Sequence, residues 1–415
     1  MTNENGRLKI GFLTSLSTQN DKRSSWRITN GFMAQALEKY CGDVVHIDPM
    51  LLGVLRFDRI LKKATKIFFR KNFMLCHTFF IAKKCAQVLT RRLVGQDFDL
   101  IFASSGWTET AFLETDIPIV LVEDANFALL SGYYPEFSNF FPRFQYEVNM
   151  LEELALNKAA LVLTASRWAA QSALKNYHVA EEKVHVVPFG ANTDTPPSAE
   201  VALKRKRSGQ CKLLFVGRDW NRKGGPIAFE TLLKLEERDI QAELIVCGCI
   251  PPKGLSHERM RVIPYLNRKD PVQRKELEML YETADFFLLP TRADCTPMVF
   301  CEASSFGLPG IATDTGGVPE IIRDGENGFL LPYSATGDAY AECIAKIYRD
   351  DQRYAELVKS TRAAFEQRLN WDAWGISATK LIHEMLERER RRKGDRATSA
   401  ADLAALQIPG HMNSV

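Results

Sequence analysis

Short apolar segments alternate with helix-length segments along most of the chain, and this alternation is the main structural signal in the sequence. The apolar segments are uninterrupted rather than alternating with polar positions, which is typical of strands buried on both faces of a parallel sheet. Those in the first half are 8–13, 44–48, 99–103, 117–122, 160–164 and 184–188. Those in the second half are 212–216, 242–247, 260–264, 285–290, 309–313 and 328–331. The pattern predicts two doubly wound α/β domains that face each other across a cleft.

One interval interrupts this pattern and predicts the boundary between the domains. Residues 193–210 are rich in Pro, Ser and Lys, a composition typical of linkers. The predicted domains are therefore 1–192 and 211–370. A one-faced amphipathic helix is predicted over 371–393, packing back on the first domain, and a flexible tail over 394–415. The apolar positions of that helix are Trp374, Ala378, Leu381, Ile382 and Met385.

Composition restricts the class of protein. Hydrophobic residues make up 46% of the 415 positions and charged residues 25%, the usual balance for a globular protein. A net charge of +3 argues against a nucleic-acid partner, which would require a concentrated basic surface. Nine cysteines without a CxxC pair predict free, buried thiols in a reducing compartment. Neither a signal-like start nor a long apolar run occurs in the sequence, so we expect a cytoplasmic protein.

The segment FVGRDWNRKGG, residues 215–225, carries the first candidate chemistry. It forms the first strand-to-helix connection of the second domain, and open α/β sheets bind ligands at the carboxyl ends of their strands. Gly217 permits a sharp turn, Arg218 offers a fork of donors, and Lys223 adds a point charge near the next helix. These features predict a phosphate site. A solvated basic loop would give the same residues, and the segment matches neither a P-loop nor a dinucleotide fingerprint.

A second segment, residues 291–332, adds acidic residues and a helix start. Asp294 follows a strand directly, and Glu302 comes eight residues later. A helix over 299–306, starting at about Pro297, would present free amides to an anion at its positive end. The two carboxylates would flank that anion and accept hydrogen bonds from sugar or ribose hydroxyls, because they would repel a phosphate. The residues expected to contact the ligand at this helix start are Thr296, Met298 and Val299.

A further glycine-to-helix junction lies on the same edge of the predicted sheet. Gly316 and Gly317 precede Val318 directly. Together with Arg218 and Lys223, the two junctions predict a cradle for a diphosphate.

In these motifs the chain resembles the retaining nucleotide-sugar glycosyltransferases of family 4, which have the GT-B fold. The likeness spans roughly residues 8–390. Its motifs are the acid pair Asp294 and Glu302, the basic pair Arg218 and Lys223, GGVPE at 316–320, DGENG at 324–328 and PFGANTD at 188–194. The resemblance implies two Rossmann-like domains, with the acceptor bound by the first and the nucleotide sugar by the second.

The resemblance also implies a role for each of these side chains. Glu302 would bind the ribose hydroxyls and Asp294 the transferred sugar, while Arg218 and Lys223 would stabilise the departing diphosphate. No metal or other cofactor is then required, and the departing phosphate itself accepts the proton of the acceptor in a front-face attack. The chain departs from the family pattern at Asp294, where Glu is usual, and at Pro297, which has no amide hydrogen to donate.

A histidine that often follows the fourth strand in this family has no counterpart in the sequence. The corresponding segment is IVLVEDANF, and we expect Asp124 to take the place of that histidine and to face the donor sugar. A helix-capping or turn aspartate is the alternative.

Two segments of the first domain are candidates for the acceptor side. The long polar connection 14–31 supplies Trp26 and Arg27. Residues 55–73 combine seven basic residues and one acid with eight large apolar ones. Such a helix either lies on an anionic membrane, which suits a lipid-linked acceptor, or is a solvated face over an ordinary core.

The sequence therefore predicts a retaining hexosyltransferase of polysaccharide biosynthesis that uses a nucleotide-sugar donor and a glycan or lipid-linked acceptor. A sugar-nucleotide epimerase or a phosphorylase would bind related ligands in the same cleft. The epimerase requires paired acid and base residues, and the phosphorylase a lysine-bound pyridoxal phosphate, neither of which is evident. A non-catalytic sugar-nucleotide-binding homologue is the third alternative, suggested by the shortened acid at Asp294.

Overall fold

A computed structural model describes residues 7–15, 25–47, 52–205, 207 and 209–406 of the chain. Within this part of the chain two six-stranded sheets are present, and each predicted apolar segment forms one of their strands. All strand pairs are parallel. The predicted two-domain α/β architecture is confirmed.

The first sheet has the strand order β2-β1-β3-β4-β5-β6. Its strands are β1 (Leu8–Thr14), β2 (Gly42–Ile47), β3 (Leu100–Ser104), β4 (Ile119–Glu123), β5 (Leu161–Thr164) and β6 (Val184–Val186). The helices of this domain are α1 (Ser25–Tyr40), α2 (Leu52–Phe69), α3 (Phe79–Leu93), α4 (Trp107–Thr110), α5 (Phe127–Leu130), α6 (Pro142–Lys158) and α7 (Arg167–Asn176).

The second sheet has the strand order β12-β11-β10-β7-β8-β9. Its strands are β7 (Cys211–Val216), β8 (Ala242–Cys247), β9 (Met260–Ile263), β10 (Phe286–Leu289), β11 (Gly310–Thr313) and β12 (Gly328–Leu331). A short helix, α8 (Ala199–Leu203), lies in the predicted linker. The remaining helices of this domain are α9 (Gly225–Glu236), α10 (Pro271–Thr283), α11 (Met298–Ser305), α12 (Val318–Ile321), α13 (Gly337–Tyr348) and α14 (Asp351–Arg368).

Apolar side chains on both faces of the sheets explain why the strands are uninterrupted hydrophobic runs. In the first domain, Phe12 and Phe102 pack on one face, and Leu13 and Ile101 on the other. The second domain buries a large apolar cluster that includes the strand residues Phe286 and Phe287. Because helices cover both faces, only the strand ends and the loops that follow them remain to form a site.

The last helix, α15 (Trp371–Leu406), returns to the first domain although it follows the second in sequence. Trp374 is 1% exposed and joins the apolar cluster on one face of the first sheet. The Lys39 ammonium lies 2.9 Å from the Asp372 carboxylate, which links α1 to the start of α15. The helix continues past the predicted end at residue 393, because the next residues include several Ala and Leu, which are strong helix formers. Residues 407–415 lie outside the described part of the chain.

The nine cysteines are all free, as predicted, and eight of them are buried. None of the described helices combines the length and the apolar character needed to cross a lipid bilayer.

Candidate active site

The two motifs of the second domain come together at the point where the strand order of its sheet reverses. Strands β7 and β10 are neighbours there, and loops 217–224 and 290–297 follow them. Ligands of open α/β sheets bind outside the carboxyl ends of the strands at such a point. Residues about 70 positions apart in sequence therefore share one site, as the ion pair between positions 223 and 294 illustrates.

Lys223 and Asp294 form an ion pair at this point. The Lys223 ammonium contacts the Asp294 carboxylate, and the two side chains are only 12% and 9% exposed. Gly217 makes room for this lysine, because a Cβ at position 217 would lie 2.9 Å from Lys223 Cγ. A charge interaction that is shielded from water is stronger than a surface pair. The pair places one cation and one hydrogen-bond acceptor side by side at the predicted donor site.

Two arginines stand in the same loop, and one of them has a contact that the sequence did not indicate. Arg218 is exposed on the bend that follows β7. The Arg222 guanidinium donates to the carbonyl oxygen of Ala293 at 2.7 Å, which ties the two loops together. Its position directly before Lys223 in the motif was the only sequence signal for this second arginine.

The helix predicted near Pro297 is α11, with Pro297 as its N-terminal capping residue. The amide of Met298 donates to the carbonyl oxygen of Thr296 at 2.9 Å, and its contact with an anion remains a prediction. Val299 lies in the first turn, where amides lack an acceptor four residues earlier. Thr296 contributes a buried hydroxyl that has no hydrogen-bond partner among the described residues. An anion at this helix start would therefore meet Thr296 and Val299.

Glu302 lies on the buried side of α11 and is held by two residues that the sequence did not single out. Arg268 binds both carboxylate oxygens, with Nη1 to Oε1 at 2.7 Å, and Tyr281 donates its hydroxyl to Oε2 at 3.0 Å. The charge of Glu302 raises the pKa of Arg268. The carboxylate is thus fixed in one orientation. The basic segment that follows β9 was the available signal for Arg268.

The glycine pair serves a different contact from the one expected. The amide of Gly317 donates to the carbonyl oxygen of Asp294 at 3.1 Å, and its contact with the donor diphosphate remains a prediction. A Cβ on Gly317 would collide with the carbonyl oxygen of Cys295, and Gly316 has φ +54°. Helix α12 has only four residues, a single turn with little dipole to offer. The pair therefore lets the loop after β11 support the loop that carries Asp294, while a contact of Gly316 with the donor remains a prediction.

Asp124 lies at the carboxyl end of β4 and faces the second domain. Burial raises its pKa to about 7, and the negative charge of Asp294 adds to this effect, so the two carboxyl groups lie near each other across the cleft. The N-terminal cap of α5 is Asn126, whose side chain accepts from the amide of Leu129. The capping role considered for Asp124 is therefore filled by another residue.

The two domains also meet beside Glu302, where Arg268 donates to the carbonyl oxygen of Asn192 at 3.4 Å. The Asn192 amide group donates to the Thr29 hydroxyl at 3.2 Å, and its oxygen accepts from the Trp371 indole at 3.2 Å. Across the glycine pair, Glu320 accepts from the backbone amide of Arg167 at 3.0 Å. These contacts hold the first domain, the second domain and the last helix around the candidate site.

On the acceptor side, positions 16–24 of the predicted loop lie outside the described residues. Trp26 packs edge-on against Phe189 at 5.9 Å between ring centroids, and Arg27 is exposed on α1. The structure thus places Trp26 partly in the core of the first domain.

The basic segment 55–73 forms most of α2, and six of its large apolar side chains are exposed. The exposed ones are Phe57, Ile60, Leu61, Ile67, Phe68 and Phe69, and Phe68 reaches 78% exposure. Asp58 is instead buried, where it accepts from the amide of Leu75 at 2.6 Å. The alternative of a solvated face over an ordinary core is wrong for these six apolar residues.

Two family models match the chain, one in each domain. The model described as glycosyltransferase family 4 matches residues 33–195, and the model described as glycosyl transferases group 1 matches residues 210–350. Together they include the loops after β4, β7, β10 and β11 that form the candidate site.

Curated relatives include D-inositol 3-phosphate glycosyltransferases. The one from Xylanimonas cellulosilytica is 30% identical over 295 residues, which cover 65% of this chain and 66% of the relative. The one from Corynebacterium aurimucosum is 25% identical over 249 residues, covering 55% of this chain and 57% of the relative. The chain thus matches less than two thirds of the length of these relatives.

Solved structures share the fold at lower identity. Sucrose-phosphate synthase from Thermosynechococcus elongatus superposes with a TM-score of 0.65 at 17% identity, over 92% of this chain and all of that chain. Anabaena HepE in complex with UDP-glucose superposes with a TM-score of 0.58 at 18% identity, with the same coverage. These similarities show the GT-B fold. With both family models matched in order and the acidic and basic motifs assembled at one switch point, the chain belongs to the GT-B glycosyltransferases of group 1, family 4.

Proposed function

We propose that the chain transfers a sugar from a nucleoside-diphosphate sugar to a hydroxyl group of a glycan or lipid-linked acceptor, with retention of the anomeric configuration. The observation that carries this proposal is the buried pair of Lys223 and Asp294 at the switch point of the second sheet. The Lys223 ammonium, which suits a phosphate, and the Asp294 carboxylate, which can accept a hydrogen bond from a sugar hydroxyl, lie in contact there. A nucleotide sugar has these two groups adjacent to each other.

The second domain would hold the donor along the loops after β7 and β10. Arg218 and Lys223 would neutralise the diphosphate, and the Thr296 hydroxyl with the Val299 amide would bind its oxygens. Glu302 would accept from the ribose hydroxyls through lone pairs that Arg268 and Tyr281 leave available, since a carboxylate can accept several hydrogen bonds. Asp294 would bind the transferred sugar.

The proposed reaction uses these residues as follows. The bond between the anomeric carbon and the β-phosphate oxygen breaks, and a bond to the acceptor oxygen forms on the same face of the sugar. The proton of the acceptor hydroxyl passes to the departing phosphate oxygen. This proton offsets the negative charge that the nucleoside diphosphate gains when the bond breaks. Arg218 and Lys223 stabilise the negative charge that grows on this leaving group. Asp124 would contact the sugar from the first domain.

The protein's own cations fill the role of a metal in this proposal, and no other cofactor takes part. We therefore expect transfer to continue at an unchanged rate after dialysis against EDTA. A rate lost with EDTA and restored by a divalent cation would contradict the proposal on this point.

The test is a binding panel followed by product analysis. We expect one of the UDP-, GDP- or ADP-sugars to raise the melting temperature of the protein, because a ligand that binds only the native state stabilises it. NMR of the product made with that donor should show the donor's anomeric configuration. An inverted product would refute retention. Release of UDP with an epimerised sugar would favour the epimerase, and binding without turnover on any acceptor would favour a non-catalytic homologue.

We further propose that the protein docks on the anionic inner face of a membrane through α2, which would bring a lipid-linked acceptor to the cleft. The support is the coincidence of exposed apolar side chains, such as Ile67 at 73% exposure, with the exposed basic residues Lys62, Lys63 and Lys66. Apolar area buried in the lipid interface and attraction to anionic headgroups act together in such helices.

Vesicle co-sedimentation tests this docking surface. We expect binding to phosphatidylglycerol vesicles, little binding to neutral phosphatidylcholine vesicles, and loss of binding in Ile67→Ser. Ile376→Ser is the matched control, because Ile376 is also exposed, at 57%, but lies on α15. Equal binding of both variants and the unmodified protein would refute the role of α2.

A further inference from the structure

Two neighbouring tyrosines of the first domain hold the backbone that carries Asp294 in the second. Tyr133 and Tyr134 follow α5, in a turn where Ser131 pairs with Tyr134. The Tyr133 hydroxyl oxygen accepts from the amide of Asp294 at 3.0 Å. The Tyr134 hydroxyl oxygen accepts from the amide of Cys295 at 3.2 Å. Two consecutive amides of the donor loop thus find their acceptors in the opposite domain.

The second domain is shaped to receive Tyr133. Its hydroxyl lies 3.1 Å from the Thr315 hydroxyl, and a Cβ on Gly316 would collide with it. Within the first domain, the Trp168 ring packs beside Tyr133 at 5.1 Å between centroids. The hydroxyl therefore fits a notch between the loops after β10 and β11.

Tyr134 connects the same loop to the cation-rich loop after β7. The Arg222 guanidinium lies 5.4 Å from the centre of the Tyr134 ring, within the range of a cation–π contact. Burial raises the pKa of Tyr134, so its hydroxyl stays neutral at physiological pH. A neutral phenol can accept from the Cys295 amide without adding charge beside Asp294 and Asp124.

Residues of the second domain bind the carbonyl groups and the carboxylate of the loop that carries Asp294. Arg222 donates to the carbonyl oxygen of Ala293, and Gly317 donates to that of Asp294. The carboxylate of Asp294 meets Lys223. The position of the Asp294 backbone thus depends on carbonyl contacts from its own domain and on amide contacts from the other.

We propose that Tyr133 and Tyr134 are positioning residues for the donor sugar: they hold the amides of Asp294 and Cys295 across the cleft and so fix the Asp294 carboxylate against the sugar. This inference rests on the proposed function, because it takes Asp294 as the sugar ligand. The sugar end of the donor site is then complete only when the two domains are closed. At the nucleotide end, Glu302 is instead held by Arg268 and Tyr281, within the second domain.

The experiment compares two probes, UDP and UDP-glucose, by calorimetric titration of the full chain and of the double variant Tyr133→Phe, Tyr134→Phe. Each lost hydrogen bond to an amide should weaken the sugar contact about three- to tenfold. We expect the Kd of UDP-glucose to rise by that factor or more, and the Kd of UDP to stay the same. Tyr146→Phe is the control, because the Tyr146 side chain is on α6 and 62% exposed. If another nucleotide sugar proves to be the donor, it and its nucleoside diphosphate replace these probes.

A change of the same size for both probes would show a general structural role and overturn the proposal. No change for either probe, or tighter binding of UDP-glucose, would also overturn it. Amide hydrogen exchange of residues 291–298 provides a readout that needs no donor, and we expect faster exchange in the double variant than in Tyr146→Phe. If no nucleotide sugar binds even the unmodified chain, the proposed function fails. Unchanged exchange, by contrast, refutes the tyrosine contacts themselves.

Discussion

Replacement of Asp124 by Asn should make the protein more stable at neutral and alkaline pH. Burial and the nearby charge of Asp294 raise the pKa of Asp124 to about 7, against an ordinary value of 3.8. In the unfolded chain this carboxyl group therefore loses its proton about three pH units earlier than in the folded protein. The charged form is disfavoured in the folded state, and asparagine removes the charge while keeping a similar shape.

The sign and size of this change in stability follow from the linkage between folding and proton binding by Asp124. Below about pH 4 the group is protonated in both states and contributes no pH dependence. As the pH rises from about 4 to about 7, only the unfolded state releases the proton, so the free energy of unfolding falls. Each pH unit corresponds to 1.36 kcal/mol, which gives an upper value of about 4 kcal/mol above pH 7. Partial access of water to the side chain reduces this value.

The assay is urea unfolding of the unmodified protein and of Asp124→Asn at half-unit steps from pH 4 to 8.5. We expect the stability difference to be near zero at pH 4 and to grow to a few kcal/mol in favour of the variant at pH 8. Asp116→Asn is the control, because Asp116 is exposed in the same domain and its charge is solvated in both states. A variant that gains no stability at pH 8, or gains equally at every pH, would refute the placement of Asp124 in a buried, negatively charged cleft.

Three other substitutions test the remaining parts of the site. Arg218→Ala and Lys223→Ala should between them weaken donor use several-hundred-fold or so, at about 1.5 to 3 kcal/mol for each charged hydrogen bond lost, measured as kcat/KM for the donor. Glu302→Ala should raise the donor KM, because ribose contacts are equal before and during the reaction. The same variant should lose up to about 3 kcal/mol of unfolding free energy in urea, since Arg268, whose side chain is 32% exposed, is left without its partner. Gly317→Ala should unfold at a markedly lower temperature, because its Cβ would collide with a backbone oxygen.

Lys253 and Gly31 provide matched controls for these substitutions. Lys253→Ala removes an exposed cation from the same domain and should leave donor kinetics unchanged. Gly31→Ala places a methyl group where no atom lies within 4 Å, in the middle of α1, and should not destabilise the protein. Normal donor kinetics in both cation variants would refute the diphosphate cradle. A Glu302→Ala protein of unchanged stability would refute the buried pair with Arg268, and a Gly317→Ala protein that melts normally would refute the packing of the glycine pair on the Asp294 loop.

The sequence by itself determined the two-domain α/β architecture, since buried parallel strands require continuous apolar runs and these can be read locally. It also determined that the loops after β7 and β10 share one site, because the ends of parallel strands meet at one edge of a sheet. The ion pair of Lys223 with Asp294 was not predicted from the sequence, which assigned the lysine to the phosphate and the carboxylate to the sugar. The start of α11 was equally predictable from Pro297 and the spacing of its apolar residues.

Only the tertiary structure decided the partners of these residues. Arg268 meets Glu302, and Tyr133 meets Asp294, through the docking of loops and domains, and no local pattern of apolar and polar positions encodes such contacts. The amide of Gly317 is bound by a carbonyl oxygen because two loops pack closely, a fact that a glycine pair in the sequence leaves open. The exposure of the apolar side chains on α2 was undecided for the same reason: periodicity shows that a helix has an apolar face, and only packing determines what covers that face.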